Sequence, residues 1–293
     1  MPSPSFFAAD VGNSRIKIGR FERPRAALDN DASPEVPLPV TTLQLPVRTL
    51  EDRLAASHSI RQWLAGFPSL GPGTWFVASV NRSHDRWLED AVAAALPGSA
   101  FHRLSFRHIP LAIRVEAPEQ VGLDRLAGAV AADRLRVLRG SAGEPPPAIV
   151  VDFGTAITVD LVSAEGAFEG GAILPGIAMA AEALARQTDA LPRSPLADLS
   201  EPPPAVGKST LQAIESGLLW GTVGAVRELT ERIAAVCDAP PLVFVTGGAS
   251  PAVVPLLQTG PAAVVHVPEL VLSGIAIAAE ASSESFLAAG HVE

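Results

Sequence analysis

A short motif occurs twice in this sequence: an apolar run that ends in Asp, followed by any residue, Gly, and Asn or Thr. The first copy is Asp10-Val11-Gly12-Asn13-Ser14, and the second, 142 residues later, is Asp152-Phe153-Gly154-Thr155-Ala156. A single Asp-x-Gly also marks an ordinary turn. Each copy is followed by a second strand-like run, so each predicts a β-hairpin with Asp at its turn. Because the spacing is about half of the 293 residues, we expect two similar lobes.

Both halves of the chain show a similar order of predicted elements. In the first half, strands are predicted at 6–10, 15–21, 41–47, 74–80 and 101–106, and helices at 50–66, 85–96 and 122–138. In the second half, strands are predicted at 148–152, 157–162, 167–174, 242–246 and 262–267, and helices at 177–187, 210–236, 251–258 and 269–282. Strand and helix alternate after the first three strands of each half, which indicates parallel pairing and an α/β class.

Two segments rich in Pro or Gly interrupt this pattern. Residues 22–39 contain four prolines among charged residues and predict a long exposed loop. Residues 140–147 predict a linker, so the expected lobes are 1–140 and 148–293. Two lobes with a β-β-β-α-β-α-β-α-like order resemble the actin-like ATPase and sugar-kinase superfamily, which has a duplicated ribonuclease H-like fold.

Composition and charge exclude several classes of partner. The net charge of -9 and the lack of a Lys/Arg cluster disfavour binding to nucleic acid. No uncharged apolar run approaches the roughly 20 residues that cross a membrane. The single cysteine, Cys237, cannot form an intrachain disulfide, and the N-terminal residues lack a secretory pattern. We therefore expect a cytoplasmic protein.

The two hairpins supply residue types that suit phosphate chemistry. Gly12 and Asn13 form a tight turn whose backbone amides can approach phosphate oxygens, while Asp10 can bind magnesium directly or through water. Lys17, on the second strand, would add positive charge. In the second copy, the Thr155 hydroxyl would contact phosphate, and Asp152 is a hard oxygen ligand for a cation. The alternative is that both are simple turns with a capping Asp.

Three other motifs allow both a chemical and a structural interpretation. At Gly122-Leu123-Asp124-Arg125, a carboxylate and a guanidinium meet at a helix start, where Asp124 can be a general base or only stabilise the helix. Gly207-Lys208-Ser209-Thr210 is not a P-loop, because Pro202 occupies the required glycine position. Thr246-Gly247-Gly248 is either a nucleotide-facing turn or a plain strand-to-helix turn. The six histidines show no metal-ligand spacing.

Taken together, these motifs resemble one family closely, the type III pantothenate kinases, which include the Bvg accessory factor. The markers span nearly the whole chain, and their order and spacing are specific in combination. They are residues 10–14 with Lys17, residues 122–125, 151–156, 170–176, 191–192 and 207–210, Ser216-Gly217 and residues 246–248.

The resemblance implies ATP-dependent phosphorylation of the terminal hydroxyl of pantothenate, the first step of coenzyme A biosynthesis. Asp124 would then be the base, and the pantothenate contacts would be Gly122, Leu123, Arg125 and Thr210. ATP phosphates would be held by Asp10, Val11, Gly12, Asn13, Ser14, Lys17 and Thr155. Asp152 would bind a monovalent cation, potassium or ammonium, alongside magnesium near Asp10. The resemblance also implies a homodimer.

The sequence departs from the family pattern at three positions. Val115 stands where a Tyr commonly faces pantothenate, Ala117 replaces an Asn before Pro118, and Ser14 replaces a Thr but keeps the hydroxyl. Two alternatives follow: a kinase of another small hydroxylated acid, or a non-catalytic accessory protein with the same fold. Residues Asp10, Asp124, Arg125, Asp152 and Thr155 argue against the second alternative, because a binding module need not keep every reactive group.

Overall fold

The computed structural model describes residues 5–22, 36–67, 72–140, 144–194, 201–258 and 263–289, with side chains to Ser282. The chain forms two compact units. Unit 1 comprises residues 1–138 and 269–293, and unit 2 comprises residues 139–268. Unit 1 is therefore built from two separate stretches of sequence.

The elements of unit 1 are β1 (Ser5–Val11), β2 (Arg15–Glu22), β3 (Thr41–Pro46), α1 (Leu50–Ala65), β4 (Thr74–Ser79), α2 (Arg82–Ala95), β5 (Ala100–Arg103), the two-residue β6 (Ala112–Ile113), α3 (Leu123–Arg139) and α7 (Leu270–Ala289). Those of unit 2 are β7 (Ala148–Phe153), β8 (Ala156–Val162), β9 (Ala167–Pro175), α4 (Ile177–Gln187), α5 (Thr210–Ala234), β10 (Leu242–Thr246), α6 (Ser250–Leu257) and β11 (Val264–His266). Short 3₁₀ turns occur at Phe106–His108 and Pro118–Gln120.

The sheet of unit 1 has the strand order β3-β2-β1-β4-β5. The first three strands pair antiparallel, and β1 pairs parallel with β4. Residues 6–9 of β1 are all buried, because helices cover both faces of this strand. Phe7 and Ala9 lie in a core cluster with residues of α1 and α2, and α7 packs against β1 as well.

Helix α7 packs closely on α3 within unit 1. A Cβ atom at Gly274 would lie 1.8 Å from the backbone oxygen of Ala127, so only glycine permits this approach. The closing helix was expected to belong to a lobe of residues 148–293. The structure differs in this respect, since the apolar residues of α7 are buried against unit 1.

Unit 2 repeats the plan of unit 1. Its own strands have the order β11-β10-β7-β8-β9, with antiparallel pairing through β7, β8 and β9 and parallel pairing of β7 with β10 and β10 with β11. Helices α4, α5 and α6 contribute Ile177, Leu218 and Val253 to one core cluster with the sheet. The predicted duplication is therefore confirmed, because both units place a β-hairpin beside a parallel strand.

The predicted strands and helices are present, with ends shifted by at most three residues except in α7, which continues to Ala289, seven residues beyond its predicted end. Helix α2 begins at Arg82, three residues before the predicted start, because the Asn81 side chain accepts hydrogen bonds from the first turn. Most of the predicted 22–39 loop, residues 23–35, lies outside the described residues. Among the helices that the structure describes, none combines the length and apolarity needed to cross a bilayer.

Candidate active site

The first hairpin connects β1 to β2 through Gly12, Asn13 and Ser14. The Gly12 N–H donates to the Arg15 carbonyl at 3.0 Å and closes the turn. A Cβ atom at Gly12 would lie 3.1 Å from that carbonyl oxygen, a contact tighter than most side chains make. Asp10 stands opposite Lys17 in the ladder, so a carboxylate and an amine flank the turn.

The turn between β4 and α2 lies directly beside this hairpin. The Val80 N–H donates to the Val11 carbonyl at 3.0 Å, and the Asn81 side-chain amide donates to Asn13 Oδ1 at 3.0 Å. His84 Nδ1 lies 3.0 Å from the Gly12 carbonyl oxygen. Sequence reasoning missed both Asn81 and His84. A signal was available for Asn81, since Asn directly before a helix that follows a parallel strand is a typical N-cap.

Lys17 contacts a residue outside the predicted motif. Its Nζ lies 2.9 Å from Glu269 Oε2, immediately before α7, and both side chains are largely shielded from solvent. The carboxylate offsets much of the positive charge that Lys17 would otherwise present. The side chain therefore remains next to the hairpin, as expected, but as part of an ion pair.

Asp124 is the second residue of α3, and its carboxylate folds back over the helix start. Its Oδ1 accepts the Arg125 backbone N–H at 2.8 Å and lies 2.5 Å from the position of a Cβ atom at Gly122. An N-cap Asp would stand before the helix and accept from an amide two or three positions later. Because Asp124 lies inside the helix, capping does not explain its presence.

Burial raises the pKa of the Asp124 carboxyl above its ordinary value, and the Arg125 N–H and positive charge oppose this effect. A raised pKa makes the carboxylate a stronger base, which suits proton acceptance from a hydroxyl. A Cβ atom at Gly122 would lie 3.7 Å from Val80 Cγ1, so the start of α3 is close to the turn that contacts the first hairpin. Gly122, Leu123, Asp124 and the first hairpin are thus brought together within unit 1.

The second hairpin connects β7 to β8 through Gly154 and Thr155, one residue fewer than in the first hairpin. The Gly176 N–H, at the start of α4, donates to the Thr155 carbonyl at 3.1 Å. A Cβ atom at Gly176 would lie 2.3 Å from that oxygen, so glycine is required for the approach. The hairpin is therefore held against the N-terminus of α4.

The Thr246-Gly247-Gly248 turn packs on Asp152. Gly247 has φ +96°, and a Cβ atom there would lie 2.3 Å from Asp152 Oδ1. The turn is fixed by Ser250, whose Oγ donates to the Gly247 carbonyl at 2.6 Å and lies 2.8 Å from His266 Nε2. This glycine thus allows the backbone to reach the carboxylate of the second hairpin.

Thr210 is exposed and opens α5, where the Ser209 side chain accepts the Gln212 N–H at 3.2 Å. The preceding loop is tied back to α5. Trp220 Nε1 donates to the Pro203 carbonyl at 3.0 Å, and Ser216 Oγ donates to the Ala205 carbonyl at 2.9 Å. These two hydrogen bonds from one helix fix the loop that leads to Thr210.

No group of three or more His, Cys, Asp or Glu side chains forms a metal cage in the part of the chain that the structure describes. Magnesium in phosphotransferases is usually held by one or two carboxylates together with substrate phosphates. Asp10 and Asp152 each supply one carboxylate at the end of a buried strand. Their hard oxygens fit such cations, which would take their remaining ligands from phosphate and water.

Comparison with solved structures supports the fold. The chain is similar to the ethanolamine utilization protein EutJ from Carboxydothermus hydrogenoformans, with a TM-score of 0.50 at 15% identity. The similarity covers 94% of this chain and 90% of that protein. The chain has the two-unit actin-like ATPase fold.

Comparison of sequences is more specific. The chain is 44% identical over 140 residues to a type III pantothenate kinase of Anaeromyxobacter sp. (strain K), covering 47% of this chain and 50% of the relative. It is 40% identical over 169 residues to that of Acidiphilium cryptum, covering 57% and 58%. The matched region thus spans about half the length of these curated relatives. The family model of the type III pantothenate kinases matches residues 6–232, most of the chain, so the chain belongs to this family.

Proposed function

We propose that the chain transfers the γ-phosphoryl group of ATP to the terminal hydroxyl of pantothenate and forms 4'-phosphopantothenate, the first step of coenzyme A biosynthesis. Family membership supplies the reaction. We further propose that the enzyme works in the cytoplasm, with pantothenate as its small-molecule partner, as a homodimer.

The observation that carries this proposal is the position of Asp124. Its carboxylate lies at the start of α3, near the turn beside the first hairpin, and burial raises its pKa. A base for an alcohol must be ionised at working pH yet basic enough to take a proton. Burial raises the pKa of Asp124, so its carboxylate is a stronger base than a fully solvated one.

The two hairpins supply the remaining charge stabilisation in this proposal. Phosphoryl transfer depends mainly on alignment and on neutralising phosphate charge. In unit 1, the hairpin at residues 10–14 and the Lys17 amine would contact the ATP phosphates. In unit 2, Thr155 would contribute its hydroxyl. The Lys17–Glu269 ion pair at 2.9 Å would keep the amine in place while lowering its net charge.

Magnesium and a monovalent cation would add positive charge that these residues lack. Asp10 would hold magnesium, directly or through water, and Asp152 would hold potassium or ammonium. The magnesium ion, when bound, would offset phosphate charge. The packing of the Gly247 turn on Asp152 Oδ1 supports the proposed cation site, because it holds the carboxylate in one position.

The acceptor contacts in this proposal are the residues that the family resemblance implies. Gly122 and Leu123 would contact pantothenate through their backbone, Arg125 would pair with its carboxylate, and Thr210 would donate from α5. In the reaction, the pantothenate hydroxyl oxygen bonds to the γ-phosphorus and the bond from that phosphorus to the β-γ bridging oxygen breaks. Asp124 takes the hydroxyl proton, and ADP leaves.

A coupled ADP-release assay tests the proposal. The full chain is assayed with ATP, magnesium, potassium and pantothenate, and the reaction without pantothenate measures background ATP hydrolysis. ADP release that depends on pantothenate, with 4'-phosphopantothenate identified by mass spectrometry, is the expected result. ADP release at the same rate with and without pantothenate would contradict the proposal.

One observation favours a second acceptor. Val115 is half-buried at the position where the family commonly has Tyr, and the chain has no tyrosine at all. With Val115 in place of Tyr, the chain lacks one hydroxyl that could form a hydrogen bond to pantothenate. A different small hydroxylated acid would not need that hydrogen bond. A panel of such acids in the same assay separates the alternatives, because the better substrate is the one with the higher kcat/KM.

Homodimer formation is supported by the surface of α5. The predicted long apolar helix is present, and its exposed residues include Gly217, Gly221 and Gly224. A Cβ atom at any of them would have no atom within 4 Å, so contacts among the described residues do not require glycine there. Glycine destabilises a helix by about 1 kcal/mol relative to alanine, and close packing against a second copy would explain its presence.

A further inference from the structure

Two polar side chains of unit 1 contact the first hairpin but belong to none of the assigned groups. The His84 side chain is only 8% exposed, and its Nδ1 lies 3.0 Å from the Gly12 carbonyl oxygen. The Asn81 amide lies 3.0 Å from Asn13 Oδ1. A carbonyl oxygen can only accept, so Nδ1 must carry the proton and donate.

The contact between His84 and the Gly12 carbonyl also sets the orientation of the Asn13 N–H, because both groups belong to the same peptide unit. In a planar trans peptide, the carbonyl and the following N–H point to opposite sides. When His84 holds the Gly12 carbonyl, the Asn13 N–H is therefore directed away from His84. The Gly12 N–H is already used in the turn, since it donates to Arg15. The orientation of the Asn13 amide thus depends on His84.

We propose that His84 and Asn81 are positioning residues that hold the Gly12–Asn13 peptide with the Asn13 N–H toward a nucleotide phosphate. The inference rests on the proposed use of ATP. His84 fixes the peptide through its carbonyl, and Asn81 fixes the Asn13 side chain on the same turn. Neither residue touches the reacting atoms.

Three variants separate positioning from simple stability. His84→Phe keeps a ring but removes the donor, whereas His84→Asn places an amide donor the same number of bonds from the backbone as Nδ1. Asn81→Ser keeps a side chain that can cap α2 but cannot reach Asn13. His58→Phe, at an exposed position of α1, is the matched control.

Calorimetry with magnesium-ATP and steady-state kinetics provide the readouts. We expect His84→Phe and Asn81→Ser to weaken ATP binding roughly three- to tenfold, the range for one lost hydrogen bond. The KM for pantothenate should change by less than about twofold, and His84→Asn should recover ATP binding to within about twofold of wild type. The His58→Phe variant should match wild type.

Unchanged ATP affinity in both His84→Phe and Asn81→Ser would overturn the inference. So would equal losses in His84→Phe and His84→Asn that follow a fall in Tm, because that pattern indicates a purely structural role. If His84→Phe fails to fold, Asn81→Ser still decides the matter. If wild type binds ATP but does not phosphorylate pantothenate, only the proposed function fails, and the binding data still test the positioning role.

Discussion

The Asp124 carboxylate can accept a proton, and it also accepts a hydrogen bond from the Arg125 N–H. A single substitution can remove the first property and keep the second. Asparagine has almost the same shape and can still accept the Arg125 N–H through its side-chain oxygen. It cannot accept a hydroxyl proton. The substitution therefore removes the proposed chemistry and leaves the local hydrogen bond in place.

We expect Asp124→Asn to lower kcat by about 10²- to 10⁴-fold, the usual range for general-base catalysis, with ATP affinity unchanged. The measurement is kcat at saturating pantothenate, together with calorimetry for ATP. If Asp124 only orients Arg125, the loss should instead appear in the KM for pantothenate. Retention of more than about a tenth of wild-type kcat would exclude Asp124 as the base.

The raised pKa of Asp124 also predicts how stability depends on pH. A carboxyl with a raised pKa in the folded state stabilises the fold when protonated, and this contribution is lost as pH rises through the folded pKa. Above its folded pKa, Asp124 is ionised in a buried position, which lowers the stability of the folded protein. We expect Asp124→Asn to have a higher Tm than wild type at pH 7, and the difference to shrink as pH falls toward the ordinary pKa of Asp.

Thermal unfolding of both proteins across acidic to neutral pH measures this difference. Asp90→Asn, at an exposed position of α2, is the matched control for the loss of one carboxylate. A constant Tm difference between wild type and Asp124→Asn at every pH would be inconsistent with a pKa raised by burial.

At the scale of elements, each hairpin is supported by the turn after the parallel strand beside it. In unit 1 the turn before α2 contacts the first hairpin through Asn81, and in unit 2 the turn before α6 contacts the second through Gly247. The same topology thus uses side-chain hydrogen bonds in one unit and close backbone approach in the other.

We expect Gly247→Ala to weaken nucleotide binding by more than tenfold and to lower the free energy of unfolding by about 1–2 kcal/mol. The reasons are the φ of +96° and the atoms that the new methyl group would meet, Asp152 Oδ1 at 2.3 Å and the Phe153 backbone at 2.5 Å. Calorimetry and chemical denaturation measure the two effects. The control is Gly98→Ala in unit 1, because its φ of +83° imposes a similar backbone strain while its methyl group would make only an ordinary contact, 3.4 Å from Pro72. Wild-type affinity in Gly247→Ala would argue against a role for this turn.

The strands and helices could be predicted from the sequence because their apolar periodicity is strong. Their packing partners could not, because residues that are far apart in the chain form these contacts. The pattern of α7 indicates burial without naming a sheet, and the structure places it on unit 1. The Asn81–Asn13 contact joins residues 68 positions apart and follows from the parallel pairing of β1 and β4. Lys17 was predicted to lie near the hairpin, yet its partner Glu269 is distant in sequence.

At the scale of the whole molecule, the glycines of α5 predict the oligomeric state. We expect wild type to sediment as a dimer at micromolar concentration and Gly221→Leu to sediment as a monomer, because the larger side chain would prevent close helix contact. Ala235→Leu, which adds the same side chain at the exposed end of α5, should remain dimeric. A monomeric wild-type protein would rule out the homodimer.

The negative charge of the ATP phosphates must be neutralised, and this predicts which cations the enzyme requires. We expect activity to require potassium or ammonium in addition to magnesium, because Asp152 would hold the monovalent cation and the described hairpins carry few basic groups. Initial rates in potassium, ammonium, sodium and Tris at equal ionic strength measure this dependence. Full activity in sodium or Tris alone would contradict the role assigned to Asp152.

The packing of α7 on β1, β2 and β4 has a consequence for biosynthesis on the ribosome. Unit 2 is one continuous stretch of chain, whereas the core of unit 1 needs residues that are translated after all of unit 2. Domains generally fold as units during translation, with the first-made part folding first. Here the nascent chain can complete unit 2 while the earlier-made β1 and β4 still lack the helix that covers them, which reverses the usual order of folding.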